Sequence, residues 1–146
     1  IWERWDGYVK GRGFQDLDMN SFNHYALGAV GEWMAEHILG ITPDEKAPGY
    51  RHFLIDPIPG GSLKWASGTY HSVAGEIGVS WEQQQGGFMY KIEVPVKTSA
   101  KVTLPTEGKI TESGRAATRA PGVRLVSRGG GKTSLLVQSG NYVFQF

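Results

Sequence analysis

The hydrophobic period of this chain changes near Gly40, and that change limits what it can fold into. Before it, Phe22, Tyr25, Ala26, Ala29, Val30, Trp33, Met34, His37 and Ile38 recur at steps of three and four, the spacing of one helix face. After it, apolar residues alternate with polar ones, as in Ile77, Val79 and Trp81, and again in Phe88, Tyr90, Ile92 and Val94. A stripe that repeats about every 3.6 residues does not lie flat in a sheet, and a period of two does not wrap a helix. The chain is therefore expected to hold two kinds of structure.

The spacing predicts one amphipathic helix over residues 21–39, with Asn20 or Ser21 capping its start and Gly40 just past its end. Gly28 and Gly31 lie off the apolar stripe, which suits close packing on a second side, as inside a helical barrel. Residues 1–20 read as loop. Residues 41–49 carry Pro43 and Pro48 among charged residues and read as a linker. Strands are expected at 50–56, 62–66, 69–74, 76–82, 88–94, 100–104, 123–127, 133–138 and 142–146, with a hairpin loop at 83–87. The Gly129–Gly131 run reads as a turn, without the strand-to-helix context of a phosphate loop. The fold class expected is mainly β: a C-terminal antiparallel β-sandwich at 50–146, preceded by one helix.

Composition narrows the function classes. With 146 residues the chain can bury one good core. Fifteen basic and 14 acidic residues give a net charge of +1, which argues against a nucleic-acid partner. No apolar run is long enough to span a bilayer, so no membrane partner is expected. Cysteine is absent, so there is no disulfide framework and no thiolate chemistry. His24, His37, His52 and His71 lack ligand spacing, and no metal or other cofactor is expected. Ile1 is not an initiator Met, and the chain is expected to begin within a longer protein.

Two stretches in the first forty residues carry candidate chemistry. In I-W-E-R-W-D at 1–6 a carboxylate, Glu3, stands between the indoles of Trp2 and Trp5. In N-S-F-N-H-Y-A-L-G-A-V-G-E-W at 20–33 a histidine, His24, stands at the helix start. An apolar wall can tune a carboxylate for general base work, and a helix start favours a neutral imidazole. The alternative is that Glu3 pairs with Arg4 or another cation on a surface loop and His24 is structural.

These two stretches together resemble the bacterial α-L-rhamnosidases, a family of inverting glycoside hydrolases. The similarity continues through P-G-Y-R-H-F-L-I-D-P-I-P-G-G-S-L-K-W-A (48–66), T-Y-H-S-V-A-G-E-I (69–77) and, more loosely, V-P-V-K-T-S-A-K-V-T-L-P (94–105). The resemblance implies an (α/α)6-barrel catalytic domain followed by a C-terminal β-sandwich. Residues 1–40 would then be the last loop and helix of the barrel. It implies Glu3 as the catalytic base that activates water and His24 as a sugar contact, with Trp2 and Trp5 walling the pocket. The general acid of such enzymes lies upstream, so the isolated chain is expected to be inactive. Its partners would be a rhamnosyl substrate and the rest of the barrel.

A second reading is a free-standing carbohydrate-binding sandwich that uses aromatics such as Trp65 and Tyr70. It requires those rings to be exposed and coplanar, whereas ordinary packing would bury them. The unpaired apolar stripe of 21–39 is expected to fold back on the sandwich or to form a homodimer.

Overall fold

A computed structural model describes the backbone of residues 1–146 and every side chain but that of Leu27. The chain divides into two compact units, Ile1–Met34 and Ala35–Phe146.

The first unit holds little regular structure. A short hairpin, β1 (Tyr8–Val9) with β2 (Gly13–Phe14), is followed by a single 3-10 turn at Leu17–Met19 capped by the Asp16 carboxylate. The predicted helix is present but is shorter and broken. Residues 21–24 are not helical; a 3-10 turn spans Tyr25–Leu27, α1 spans Ala29–Trp33, and the chain continues through a π-helical turn at Met34–Ile38. Ser21 does not cap this helix; its hydroxyl accepts from the Asn23 N–H in a local turn. His24 precedes the first helical turn and makes no side-chain cap. Gly28 and Gly31, each worth about 1 kcal/mol against helix relative to Ala, explain why the helical stretch does not run straight. Among the described residues of 1–34, only Gly7 is buried.

The second unit is the β-sandwich, built from nine strands: β3 (Ile41–Pro43), β4 (His52–Ile55), β5 (Trp65–Ser72), β6 (Gly75–Gln84), β7 (Gly87–Leu104), β8 (Thr111–Glu112), β9 (Arg115–Ala116), β10 (Val123–Gly129) and β11 (Lys132–Gln145). Two of these are long, and both bend. The first half of β7 pairs with β6, and beyond β6 lies β5; its second half pairs with β4, and beyond β4 lies β3. β11 runs antiparallel to β7 throughout. Its first half also pairs with β10, and its second half with β8. The two long strands thus pass from one layer to the other, a corner that strands make through bulges. At the corner, Pro95, Val96, Lys97 and Thr98 face Ser139 alone, and the register resumes at Ser99 opposite Gln138. Lys97 adopts φ +64°, and the Thr98 hydroxyl holds the bend by donating to the Pro95 carbonyl at 2.7 Å.

All ladders are antiparallel except β4 with β7, which is parallel. Three pairs of expected strands are in fact single strands: 62–66 with 69–74, 88–94 with 100–104, and 133–138 with 142–146. Residues 41–43, expected within the linker, form edge strand β3, because Ile41 inserts into the core. Gly130 and Gly131 make the β10–β11 turn with φ +63° and +78°, the left-handed pair that a two-residue hairpin needs.

One layer contributes Ile77, Val79, Trp81, Tyr90, Ile92, Val94 and Phe144 to the core; the other contributes Phe53, Ile55, Ala100, Val102, Leu104, Leu135 and Val137. The turn Met34–Ile38 is fastened from its C-terminal end. Trp81 Nε1 donates to the Ile38 carbonyl at 2.7 Å and the Ile58 N–H to the His37 carbonyl at 2.9 Å, satisfying acceptors that a helix end leaves open. Gly40 follows at φ +74°, against the backbone of Asp56 and Pro57, where a Cβ has no room.

Candidate active site

The two N-terminal motifs meet through their backbones. Glu3 N–H donates to the Ser21 carbonyl at 2.7 Å, and His24 N–H donates to the Ile1 carbonyl at 2.8 Å. This pairing sets the Glu3 side chain over residues 21–24. Ser21 N–H donates to Glu3 Oε2 at 2.9 Å, and His24 Nδ1 lies 4.0 Å from the same oxygen. The Glu3 side chain is only 19% exposed, so a carboxylate near the chain terminus is nonetheless shielded from water. Its other oxygen, Oε1, has no hydrogen-bond partner among the described residues.

Arg4, the alternative partner for Glu3, is engaged elsewhere. Its guanidinium grips Asp6 through Nε at 2.6 Å and Nη2 at 3.0 Å, and that bond holds the Asp6 carboxyl below the usual carboxylate range. Arg4 is therefore not the partner of Glu3, whose nearest basic group is the His24 imidazole.

Aromatic rings brace the pair. Trp2 meets Phe22 edge-on with ring centroids 4.7 Å apart; Phe22 meets Phe14 at 5.8 Å and Phe14 meets Tyr8 at 5.2 Å. Trp2 belongs to the first motif and Phe22 to the second, so their contact also ties Glu3 to His24. Trp5 is different. It is 96% exposed and touches none of these rings. Gly7 lies against the Asn20 side chain, where a Cβ has no room, which keeps the two segments close. Phe22, expected on the helix stripe, and Ser21, expected as a cap, instead brace Trp2 and hold Glu3.

The sandwich aromatics do not form a common platform. Trp65 and Tyr70 are five positions apart on β5 and point to opposite faces. Tyr70 packs against Tyr50 with centroids 4.9 Å apart, whereas Trp65 is 67% exposed. Trp81 is core, as its alternation with Ile77 and Val79 implies.

The chain thus carries a carboxylate held by one backbone amide and flanked by an imidazole, and a β-sandwich follows it in the sequence. This chain belongs to the bacterial alpha-L-rhamnosidase C-terminal domain family, whose model matches residues 40–119. Residues 1–38 match the bacterial alpha-L-rhamnosidase 6 hairpin glycosidase domain. Alpha-L-rhamnosidases of Formosa agariphila and Streptomyces avermitilis are 39% identical over 99% of the chain and 46% identical over 73% of it. The chain spans only 16% and 10% of the lengths of those two relatives. The crystal structure of the Streptomyces avermitilis alpha-L-rhamnosidase complexed with L-rhamnose superposes on all of this chain with a TM-score of 0.76 at 37% identity. The chain covers 13% of that structure. The structure of the alpha-L-rhamnosidase from Dictyoglumus thermophilum gives 0.73 at 28% identity, with 99% of this chain and 16% of that one covered.

Proposed function

We propose that this chain is the C-terminal part of an α-L-rhamnosidase that hydrolyses terminal α-L-rhamnosyl residues with inversion, and that Glu3 is the general base of the intact enzyme. One observation carries this reading. The Ser21 amide and the His24 imidazole both lie on the side of Glu3 Oε2, and Oε1 has no hydrogen-bond partner among the described residues. A base in an inverting glycosidase must be oriented by one contact and free at the other oxygen, so that it can take a proton from water. The second carboxyl group stands roughly 6.5–9.5 Å away in such enzymes and protonates the leaving oxygen. On this reading that acid belongs to the upstream barrel.

Residues 1–40 then supply the final loop and helix of the barrel, residues 41–49 the connection, and residues 50–146 the sandwich. His24 contacts the sugar, and Trp2 and Trp5 wall the pocket. The exposed Tyr25, Val30, Trp33 and Met34 form the face that the other barrel helices cover. In the isolated chain, residues 21–39 are where a homodimer forms. Alone, the chain has one carboxylate without an acid or an enclosed pocket, and it is inactive.

The test is Glu3→Gln in the full-length enzyme. Turnover should fall about 10²–10⁴-fold with little change in KM. Proton NMR of the wild-type reaction should show the inverted anomer forming first. Full turnover in the variant, or a product of retained configuration, removes the assignment. With the isolated chain, no nitrophenol should be released from nitrophenyl α-L-rhamnoside. Release that vanishes in the same variant would mean a site completed between copies.

A further inference from the structure

We infer that the outward face of β5, β6, β7 and the second half of β11 binds neutral oligosaccharides, with Trp65 as the ring on which a sugar stacks. The inference draws on the function proposed above only in taking rhamnosyl sugars as the first ligands to try. Alternate residues of a strand share a face. The registers place Trp65, Glu82, Met89 and Gln145 in one row across the strands, Ser67, Ser80, Lys91 and Val143 in the next, and Thr69, Gly78, Glu93 and Asn141 in a third. Two adjoining depressions lie along these rows. One, of about 380 Å³, runs from Trp65 past Glu82 to Lys91; the other, of about 290 Å³, runs over Gly78 to Glu93 and Asn141. Ser67, Ser80 and Lys91 line both. Gly78 keeps the second one open, since a Cβ there would meet the Glu93 side chain at 3.1 Å.

Among the described residues, the side chains of Ser67, Ser80, Glu82, Lys91, Glu93 and Asn141 make no hydrogen bond or ion pair. An exposed indole therefore adjoins a band of free hydroxyl, amide, ammonium and carboxylate groups. That set matches a pyranoside, whose apolar C–H face lies on an aromatic ring while its hydroxyls both donate and accept. Lys91 against Glu82 and Glu93 leaves little net charge, so neither a polyanion nor a polycation is favoured. A protein partner would call for an apolar centre with charged residues at its rim. Here Ser80 and Lys91 occupy the centre with Val143 as the one apolar side chain in their row, and the indole lies at one end.

The experiment titrates the isotope-labelled chain with a rhamno-oligosaccharide and, separately, with cellotetraose, following the tryptophan indole N–H signals; Trp65→Ala assigns one of them. A saturable shift of the Trp65 signal is expected, with affinity about tenfold weaker or more in Trp65→Ala. Lys91→Ala should also weaken binding, and Glu3→Gln should leave it unchanged. Because Trp65 is exposed, its replacement should not move the melting temperature, which separates lost binding from lost fold. A response to cellotetraose alone would support the surface while separating it from the rhamnosidase reading. No saturable Trp65 shift with either sugar would overturn the inference. So would binding that Glu3→Gln abolishes and Trp65→Ala leaves untouched.

Discussion

The two units of this chain treat their aromatic residues in opposite ways. In Ala35–Phe146, Phe53, Trp81, Tyr90 and Phe144 are buried between two layers. In Ile1–Met34, Trp2, Trp5, Tyr8, Phe14, Tyr25 and Trp33 are all substantially exposed. The first unit is richer in large rings for its length than the second, yet Trp2, Phe22, Phe14 and Tyr8 meet edge to edge in a short chain. Large apolar patches seldom stay exposed on a soluble monomer, because covering them recovers roughly 25 cal/mol per Å². The sandwich encloses a core of its own, whereas the N-terminal unit sets Glu3 beside His24 with its large rings mostly in contact with solvent.

The largest effect that sharpens this contrast is expected from Trp81→Ala. Trp81 is fully buried, and its indole N–H holds the Ile38 carbonyl. Losing a buried tryptophan costs about 3–5 kcal/mol, and the carbonyl loses its donor as well. Denaturant unfolding should show that loss in full. A smaller loss, with the sandwich still cooperative, would mean that its core is less closed than its buried rings indicate.

Next is Gly40→Ala, at the junction where the helical turn gives way to β3. A non-glycine residue at φ +74° costs about 1–3 kcal/mol, and the added methyl group has no room against Asp56 and Pro57. Thermal melting should report a loss of at least that size. An unchanged midpoint would mean that this junction is not fixed in the folded chain.

The same contrast governs how much could be read from the sequence. β6 was legible because Ile77, Val79 and Trp81 face the core in strict alternation with polar neighbours. The unity of β7 was not. Pro95 lacks an N–H and Lys97 takes a positive φ, both local signs of a strand's end, and only β11 on the other side carries the strand through. Gly68 split β5 in the same way, although its missing side chain is what admits Leu39. The strands β1, β2, β8 and β9 have two residues each, too few to show a period. The helix stripe was legible as a face but not in extent, since its length depends on packing that these residues do not supply to one another. Glu3 between two indoles and His24 at a helix start stood out as residues, but their roles came only from motif likeness. Their contact depends on backbone pairing of residues 1–3 with 21–24, which no spacing rule anticipates.

Tyr90→Phe should act in the opposite direction. The Tyr90 hydroxyl is buried with no hydrogen-bond partner, and burial pushes its phenol well above the ordinary value. An unsatisfied buried polar group costs about 1–3 kcal/mol, so its removal should raise stability by about 1 kcal/mol at neutral pH. The sign with pH follows from linkage. Above about pH 10 an unfolded chain loses the tyrosine proton while the folded one keeps it, so stability falls as pH rises. Burial raises Tyr142 in the same direction, so the alkaline loss in Tyr90→Phe should shrink without vanishing. Equal alkaline losses in both proteins would assign the whole effect to Tyr142.

The smallest expected effect bears most directly on the contrast. Trp5 is 96% exposed, and replacing it with Ala should change the stability of this chain by less than about 0.5 kcal/mol. In the sandwich no tryptophan as buried as Trp81 could be removed so cheaply. In the full-length enzyme, the pocket-wall role proposed for Trp5 requires the same substitution to raise KM while melting stays put, because the ring would then touch substrate rather than support fold. Destabilisation of the isolated chain would mean that Trp5 packs within the first unit after all. If KM is unchanged in the whole enzyme, the ring does not wall the pocket, and Trp2, braced on Phe22, remains the indole held next to Glu3.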